Sequence, residues 1–348
     1  MTRSGRVRWT LAASVAATLL SSPGASVQGA AQAAADSPPN PYQAVTNHFK
    51  LPEGRAMGST AAIDIDRDGR SVWVFERCGG ASQAQACAES NLAPVLKFDA
   101  SGKLVTSFGA GMFVSPHGIH VDRQGNIWLA DGAAKGAKGD QVFKFSPEGK
   151  VLMTLGKAGV AGDGTDTFGP PSDILVAPNG DVFVADGHGG NTNARIVKFS
   201  KDGTFIKSWG KKGSGPGEFD TPHSLAMDKA GRLFVADRGN SRIQIFDQDG
   251  KFLAEWKQFG RPSGIYIDRN DVLYAADTQS DEKTNPGFKR GIRVGSAKDG
   301  KVTALIPDAD PDGTGEGLAV DADGNIYGAL TAKQALKQYV KPAKGSTR

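Results

Sequence analysis

The chain has 348 residues, of which 39% are hydrophobic and 22% are charged, a balance that is typical of globular rather than disordered proteins. Glycine is unusually common, with 46 residues, or about 13% against a typical share of about 7%. The formal net charge is +4. We therefore exclude collagen-like and low-complexity chains, and so many glycines without a collagen period favour an all-β chain with frequent tight turns.

The first 35 residues have the pattern of a secretory signal peptide. Arg3, Arg6 and Arg8 precede an apolar run of 12 residues, 9–20, which is too short to span a bilayer, and small-x-small cleavage patterns follow it. We predict that residues 1–35 are removed and that the mature protein is secreted or periplasmic and not bound to a membrane. Their removal lowers the formal net charge from +4 to +1, which leaves no electrostatic argument for nucleic acid as a partner.

Cys78 and Cys87 are the two cysteines of the chain, and eight residues of a loop rich in Gly, Ala, Ser and Gln separate them. In an exported protein such a pair is expected to form a disulfide. A pair of free thiols is the alternative.

A phrase of two apolar runs around an Asp-x-x-Gly turn recurs along the chain, which predicts a β-hairpin at each copy. A third apolar run follows every copy, and a fourth run follows the third except in the sixth copy. Four strands in every 40 to 56 residues predict the blade of a β-propeller. The six copies span residues 60–76, 116–131, 171–186, 222–237, 262–277 and 315–330.

The sixth copy is followed by only one further strand, whereas a spare strand-like segment, 44–50, precedes the first copy. We predict that this N-terminal strand closes the last blade, giving an all-β, six-bladed propeller over residues 36–342 with a polar tail at 343–348. A closed ring has no sheet edge to hide, so we expect a monomer.

The residue that follows the proline position of the repeat begins the inner strand of each blade. It is His117, His223 and Glu316 in the second, fourth and sixth blades, and Ala or Ser in the others. Because alternate blades surround the channel axis, these side chains would converge as an open site for a divalent metal such as zinc or iron(II). Hydrogen bonding to backbone or water is the alternative.

The loops after the second strands face the same mouth of the channel and carry Arg77, His188 and Arg238. A cationic rim beside a metal suits a carboxylate-bearing substrate. Arg238 could instead pair with blade aspartates, and His188 is either a general base or a polar loop residue. His120 is three positions beyond His117 and should face the opposite side, in a structural role.

Segments 115–119, 184–187, 195–199 and 222–226 resemble the peptidyl-α-hydroxyglycine α-amidating lyase family, a six-bladed propeller with NHL repeats. The resemblance implies zinc, held by three histidines, and an enzyme that splits a peptidyl α-hydroxyglycine into an amide and glyoxylate. His117 and His223 match two zinc ligands, and Arg77 matches the arginine near the scissile carbon. Glu316 stands in place of the third histidine and His188 in place of a tyrosine. The family aspartate that is associated with a calcium ligand has no counterpart here, because its position is Gly317, although calcium remains possible as a second ion.

These observations predict a secreted, metal-dependent lyase for a small peptide or another carboxylate-bearing substrate. In the hypothesis, the metal binds and polarises the substrate, Arg77 binds its carboxylate, His188 takes the hydroxyl proton, and Arg238 completes the catalytic rim. One alternative is a non-catalytic NHL propeller that binds a protein or glycan on its channel face. Another is a lactonase-like hydrolase.

Overall fold

The computed structural model describes residue 1 and residues 38–45, 47–80, 85–190, 192–308 and 315–342. Apart from residue 1, the predicted signal peptide lies outside the described residues, as does the tail 343–348. The described residues from Pro38 onward belong to one compact unit. Within them, no helical segment has the length and apolar character that a membrane crossing requires.

The described residues form six antiparallel, four-stranded sheets, which confirms the predicted all-β, six-bladed propeller. The first three blades are β2 (Thr60–Ile65), β3 (Val72–Glu76), β4 (Val95–Phe98) and β5 (Leu104–Phe108); β6 (Pro116–Val121), β7 (Ile127–Lys135), β8 (Lys138–Phe145) and β9 (Val151–Leu155); and β10 (Pro171–Val176), β11 (Val182–Asp186), β12 (Arg195–Phe199) and β13 (Phe205–Trp209). The next two are β14 (Pro222–Met227), β15 (Leu233–Asp237), β16 (Arg242–Phe246) and β17 (Phe252–Trp256); and β18 (Pro262–Ile267), β19 (Val272–Asp277), β20 (Gly291–Ser296) and β21 (Val302–Pro307). The sixth blade is β22 (Gly317–Val320), β23 (Ile326–Leu330), β24 (Ala335–Val340) and the N-terminal β1 (Gln43–Val45).

The N-terminal strand closes the ring, as the sequence predicted. β1 pairs antiparallel with β24, with Ala44 opposite Tyr339. The closing strand ends at Val45, earlier than the predicted segment 44–50. Asn47 has a left-handed φ of 57°, and Lys50 bridges to Lys103 of the first blade. The N-terminal segment therefore contacts both the last blade and the first.

The Asp-x-x-Gly turns are built by the aspartate side chain. Asp122 Oδ1 accepts hydrogen bonds from the backbone amides of Gln124 and Asn126, and Gly125 takes the left-handed φ of 87° that the turn requires. The other oxygen, Oδ2, accepts the indole N–H of the fully buried Trp128. One carboxylate thus joins the turn to the core between blades, which explains why this phrase recurs.

Buried ion pairs brace the ends of the second and third strands in three blades. These ends carry the loops that face one mouth of the channel. The pairs are Asp186 with Arg195, Asp237 with Arg242, and Asp277 with Arg293. Each aspartate is fully buried, so its charge depends on the partner.

We predict that Arg242→Gln lowers the free energy of unfolding by about 3–5 kcal/mol, because Asp237 would keep a buried charge without its partner. Arg70→Gln is the matched control, since its ion pair with Asp323 is exposed, and it should cost under about 1 kcal/mol. Urea denaturation measures both. Equal costs for the two variants would contradict a bracing role for the buried pair.

Candidate functional site

The inner strands of all six blades surround a central cavity of about 360 Å³. Each inner strand starts at the same mouth of the channel, so that mouth is lined by residues at the start of the strands or directly before it. His117, His223 and Glu316 are among them, together with Ser172 and Ser263 of the intervening blades. The structure therefore places the three predicted metal ligands around one end of the channel.

His188 belongs to the same cluster. One possible ligand atom from each of His117, His188, His223 and Glu316 lies within 4.8 Å of the others, the one such group of four in the described part of the chain. The ring of His188 is 4.3 Å from the ring of His117 and 5.1 Å from that of His223, centre to centre. Three imidazoles and one carboxylate can thus approach a single ion.

Backbone carbonyl groups of neighbouring blades orient two of the imidazoles. Nδ1 of His117 is 2.7 Å from the carbonyl oxygen of Ser172, and Nδ1 of His223 is 2.6 Å from that of Ser263. A carbonyl accepts only, so Nδ1 carries the proton and Nε2 carries the lone pair. Both Nε2 atoms are buried. That of His117 has no hydrogen-bond partner, whereas that of His223 lies 3.4 Å from Glu316 Oε1, a contact between two acceptors that needs a proton or a metal ion between them. Buried lone pairs directed into a shared space, with Nδ1 anchored to a carbonyl, fit a bound metal ion.

Burial sets the protonation states of these ligands. It lowers the pKa of His117 well below 6.5 and also lowers the pKa of His223, which keeps both imidazoles neutral. Burial alone would raise the pKa of Glu316, but the guanidinium of Arg238, which donates to Oε1, holds the pKa of this carboxyl well below 4.5. The cluster therefore combines neutral imidazoles with an ionised carboxylate, the forms that bind metals.

Arg238 connects two members of the cluster. Its Nη1 donates to Glu316 Oε1 at 3.1 Å, and its Nη2 lies 3.2 Å from Nε2 of His188. Because an arginine only donates, Nε2 of His188 is the acceptor. Among the described residues, Arg238 forms its ion pair with Glu316 rather than with a blade aspartate, and the adjacent Asp237 pairs with Arg242.

Arg77 reaches the same mouth from the first blade and is 7% exposed. Its Nε donates to the carbonyl oxygen of Pro116 at 3.3 Å and its Nη1 to Ser59 Oγ at 3.4 Å. These hydrogen-bond partners are neutral, and the charge of Glu316 acts on the guanidinium only from a distance. A buried cation whose direct partners are neutral is a suitable place for an anionic group.

The loop that carries Arg77 is fixed on both sides. The fully buried carboxylate of Glu76 accepts the backbone amides of Gly58 and Gly79 and pairs with Arg55. On the other side, Cys78 and Cys87 form the expected disulfide. The sequence does not predict the ion pair of Glu76 with Arg55, because nothing in the repeat links these two residues.

The interpretation that His120 faces away from the channel is wrong. His120 lines the same cavity as His117, since a register shift between Pro116 and Gly118 interrupts the alternation of the strand. Nδ1 of His120 lies 3.5 Å from Asp64 Oδ2, outside the cluster of candidate metal ligands. Its contacts agree with a structural role.

Known proteins are similar to this chain in sequence and in fold. The model of the NHL repeat matches residues 219–246. The probable peptidyl-α-hydroxyglycine α-amidating lyase of Caenorhabditis elegans is 37% identical over 40% of this chain and 38% of its own length. The peptidyl-glycine α-amidating monooxygenase of Mus musculus is 42% identical over 40% of this chain and 14% of its own length. The predicted resemblance to the amidating-lyase family is confirmed.

Human NHL repeat-containing protein 3 is 36% identical over 53% of this chain and 50% of its own length. The chain thus spans half or less of these curated relatives. Among solved structures, a gluconolactonase from Xanthomonas campestris has a TM-score of 0.58 at 16% identity, covering 88% of this chain and 97% of its own. An inactive virginiamycin B lyase from Staphylococcus aureus has a TM-score of 0.53 at 15% identity, covering 87% and 89%. Likeness at this identity shows the propeller fold alone.

We predict that replacing both cysteines, Cys78→Ser with Cys87→Ser, lowers the free energy of unfolding by about 2–3 kcal/mol, as expected for a short closed loop. Chemical denaturation with and without a reducing agent measures this cost. The double variant should no longer respond to the reducing agent. A wild-type protein that is equally insensitive to reduction would contradict a stabilising disulfide.

Proposed function

We propose that this protein is a secreted, metal-dependent lyase that cleaves the carbon–nitrogen bond of a peptidyl α-hydroxyglycine. The observation that carries the proposal is the buried cluster in which the Nε2 atoms of His117 and His223 lie beside the carboxylate of Glu316, with His223 Nε2 3.4 Å from Glu316 Oε1. Similarity to proteins named as amidating lyases supports the reaction class. The products would be a peptide amide and glyoxylate.

His117, His223 and Glu316 would hold the metal, either zinc or another divalent ion. When bound, such an ion supplies a Lewis acid that polarises the oxygen atoms of the substrate. The chain's own contribution is to keep these ligands deprotonated and oriented. The carbonyls of Ser172 and Ser263 hold the rings, and burial keeps them neutral.

Arg77 would bind the carboxylate of the hydroxyglycine. Its guanidinium has neutral hydrogen-bond partners, and the charge of Glu316 is shared with Arg238, so an anionic group would supply further opposite charge at the channel mouth. Arg238 adds a second cation at this mouth but is already engaged by Glu316. The two arginines therefore favour a substrate with a free carboxylate.

The reaction itself moves one proton and breaks one bond. The hydroxyl group loses its proton, a carbon–oxygen double bond forms, and the electrons of the carbon–nitrogen bond pass to the nitrogen, which gains a proton. The sequence hypothesis gives the hydroxyl proton to His188. Burial, followed by the neighbouring His223 and the charge of Arg238, lowers the pKa of His188 to about 3. An imidazole with so low a pKa accepts a proton weakly, and this role stays a hypothesis.

A non-catalytic binding propeller is the second candidate. Its support is the presence of Glu316 and His188 where the family has a histidine and a tyrosine, together with the similarity to NHL repeat-containing protein 3. Such a protein would use the channel face for binding without needing a metal. Metal content and product release separate the two candidates.

We predict that the wild-type protein binds about one equivalent of a divalent metal and releases glyoxylate from a peptidyl α-hydroxyglycine. The variant His117→Ala with His223→Ala should lose both, because two ligands are removed. His120→Ala is the matched control and should keep both. Elemental mass spectrometry measures the metal, and an assay of glyoxylate measures the reaction. Bound metal without release of glyoxylate would refute the proposed lyase reaction but not the proposed metal centre.

We predict that Arg77→Gln raises KM for a substrate with a free carboxylate by about 10- to 100-fold, the effect of one lost charged hydrogen bond. The methyl ester of the same substrate should be nearly unaffected. Arg67→Gln, on an exposed turn at the far end of the channel, is the control. An equal loss for acid and ester would show that Arg77 does not recognise the carboxylate.

A further inference from the structure

We infer that His188 is a fourth protein ligand of the metal centre, so that the site consists of three imidazoles and one carboxylate. The inference rests on the proposed metal centre but not on the lyase reaction. It gives His188 a different role from that of a proton acceptor. It also changes which metal the site suits.

The ring distances place His188 among the other ligands. Its ring is 4.3 Å from that of His117 and 5.1 Å from that of His223, and the rings of His117 and His223 are 4.9 Å apart, centre to centre. All four ligand atoms lie within 4.8 Å of one another. Two nitrogens that share one ion are at most about 4.2 Å apart, given metal–nitrogen distances of about 2.1 Å. The side chains therefore need to move only slightly to reach one ion.

The hydrogen bond from Arg238 fixes the tautomer of His188. Arg238 Nη2 lies 3.2 Å from Nε2, and since an arginine cannot accept, Nε2 carries the lone pair. This is the same nitrogen that His117 and His223 leave unprotonated. The same guanidinium binds Glu316 through Nη1, so both acceptor groups face neighbouring nitrogens of Arg238. A metal ion bound by His188 would take the place of Arg238 as the partner of Nε2.

Backbone contacts fix the position of His188 in its loop. The amides of Gly187 and His188 both donate to the carbonyl oxygen of Pro170, at 3.1 and 3.0 Å. Gly187 has a φ of 134°, and a Cβ there would lie 1.5 Å from the carbonyl oxygen of Asn193. Only glycine fits this approach. The strand before it ends at Asp186, which the buried Arg195 holds. The loop is thus built to present His188 to the channel.

Four protein ligands change the metal preference. A tetrahedral zinc ion with four protein ligands has no open position, whereas catalytic zinc sites keep one. Iron(II), manganese(II) and cobalt(II) accept five or six ligands and would keep room for two substrate oxygens. The complete set of His117, His188, His223 and Glu316 therefore favours an ion of higher coordination number as the catalytic metal.

The test compares metal binding by metal-free wild-type protein and His188→Ala, titrated separately with zinc, manganese(II) and cobalt(II). We expect the affinity to fall at least 10-fold in the variant. The visible spectrum of the cobalt(II) protein should also change, because its band intensity follows the coordination number. His188→Asn is the second variant, in case the alanine variant does not fold. His120→Ala is the matched control, since it removes a channel histidine outside the cluster, and its affinity should not change.

Unchanged affinity and an unchanged cobalt spectrum in both His188 variants would overturn the inference, and a loss of kcat alone would then support the proton-acceptor role. A wild-type protein that binds no divalent metal would overturn it as well. Failure of the lyase has a different signature: metal binding that depends on His188, without release of glyoxylate. The two failures are therefore distinguishable.

Discussion

The candidate site depends above all on closure of the ring. Its side chains come from five of the six blades: Arg77 from the first, His117 from the second, His188 from the third, His223 from the fourth and Glu316 from the sixth. No single blade holds two of the four possible metal ligands, so the ligand set exists only while β1 pairs with β24 and keeps the blades in a circle. Closure thus stabilises the fold and assembles the site through the same strand pairing.

Much of this arrangement is readable from the sequence because a repeat carries positional information. Once the blades are aligned, His117, His223 and Glu316 fall at one equivalent position, and equivalent positions in a ring face one axis. What the repeat cannot give is any contact between loops of different blades, such as Arg238 with His188. Nor does it give the register shift that turns His120 towards the channel. The contact of His117 with the carbonyl group of Ser172 could not be predicted either, because every residue has the same backbone carbonyl group.

The charge of the mouth argues for an anionic ligand. Arg77 and Arg238 are both buried, and among the described residues Glu316 is the carboxylate of this cluster. Burial lowers the pKa of each arginine, but arginine side chains stay charged in proteins, so two positive charges face one negative charge. A divalent ion would increase this excess. A carboxylate in the substrate reduces the imbalance, which is why metal binding and recognition of an acid belong together here.

The two departures from the family pattern make physical sense as a pair. A carboxylate at Glu316 brings negative charge to the ion and weakens its ability to polarise a substrate, compared with a third neutral imidazole there. Removing a phenol in favour of His188 adds a donor that carries no charge. In the proposed metal centre, the changes would exchange a three-imidazole set for four donors with a single negative charge. Four protein ligands would leave no open position on a tetrahedral zinc ion, whereas an ion of higher coordination number would keep one.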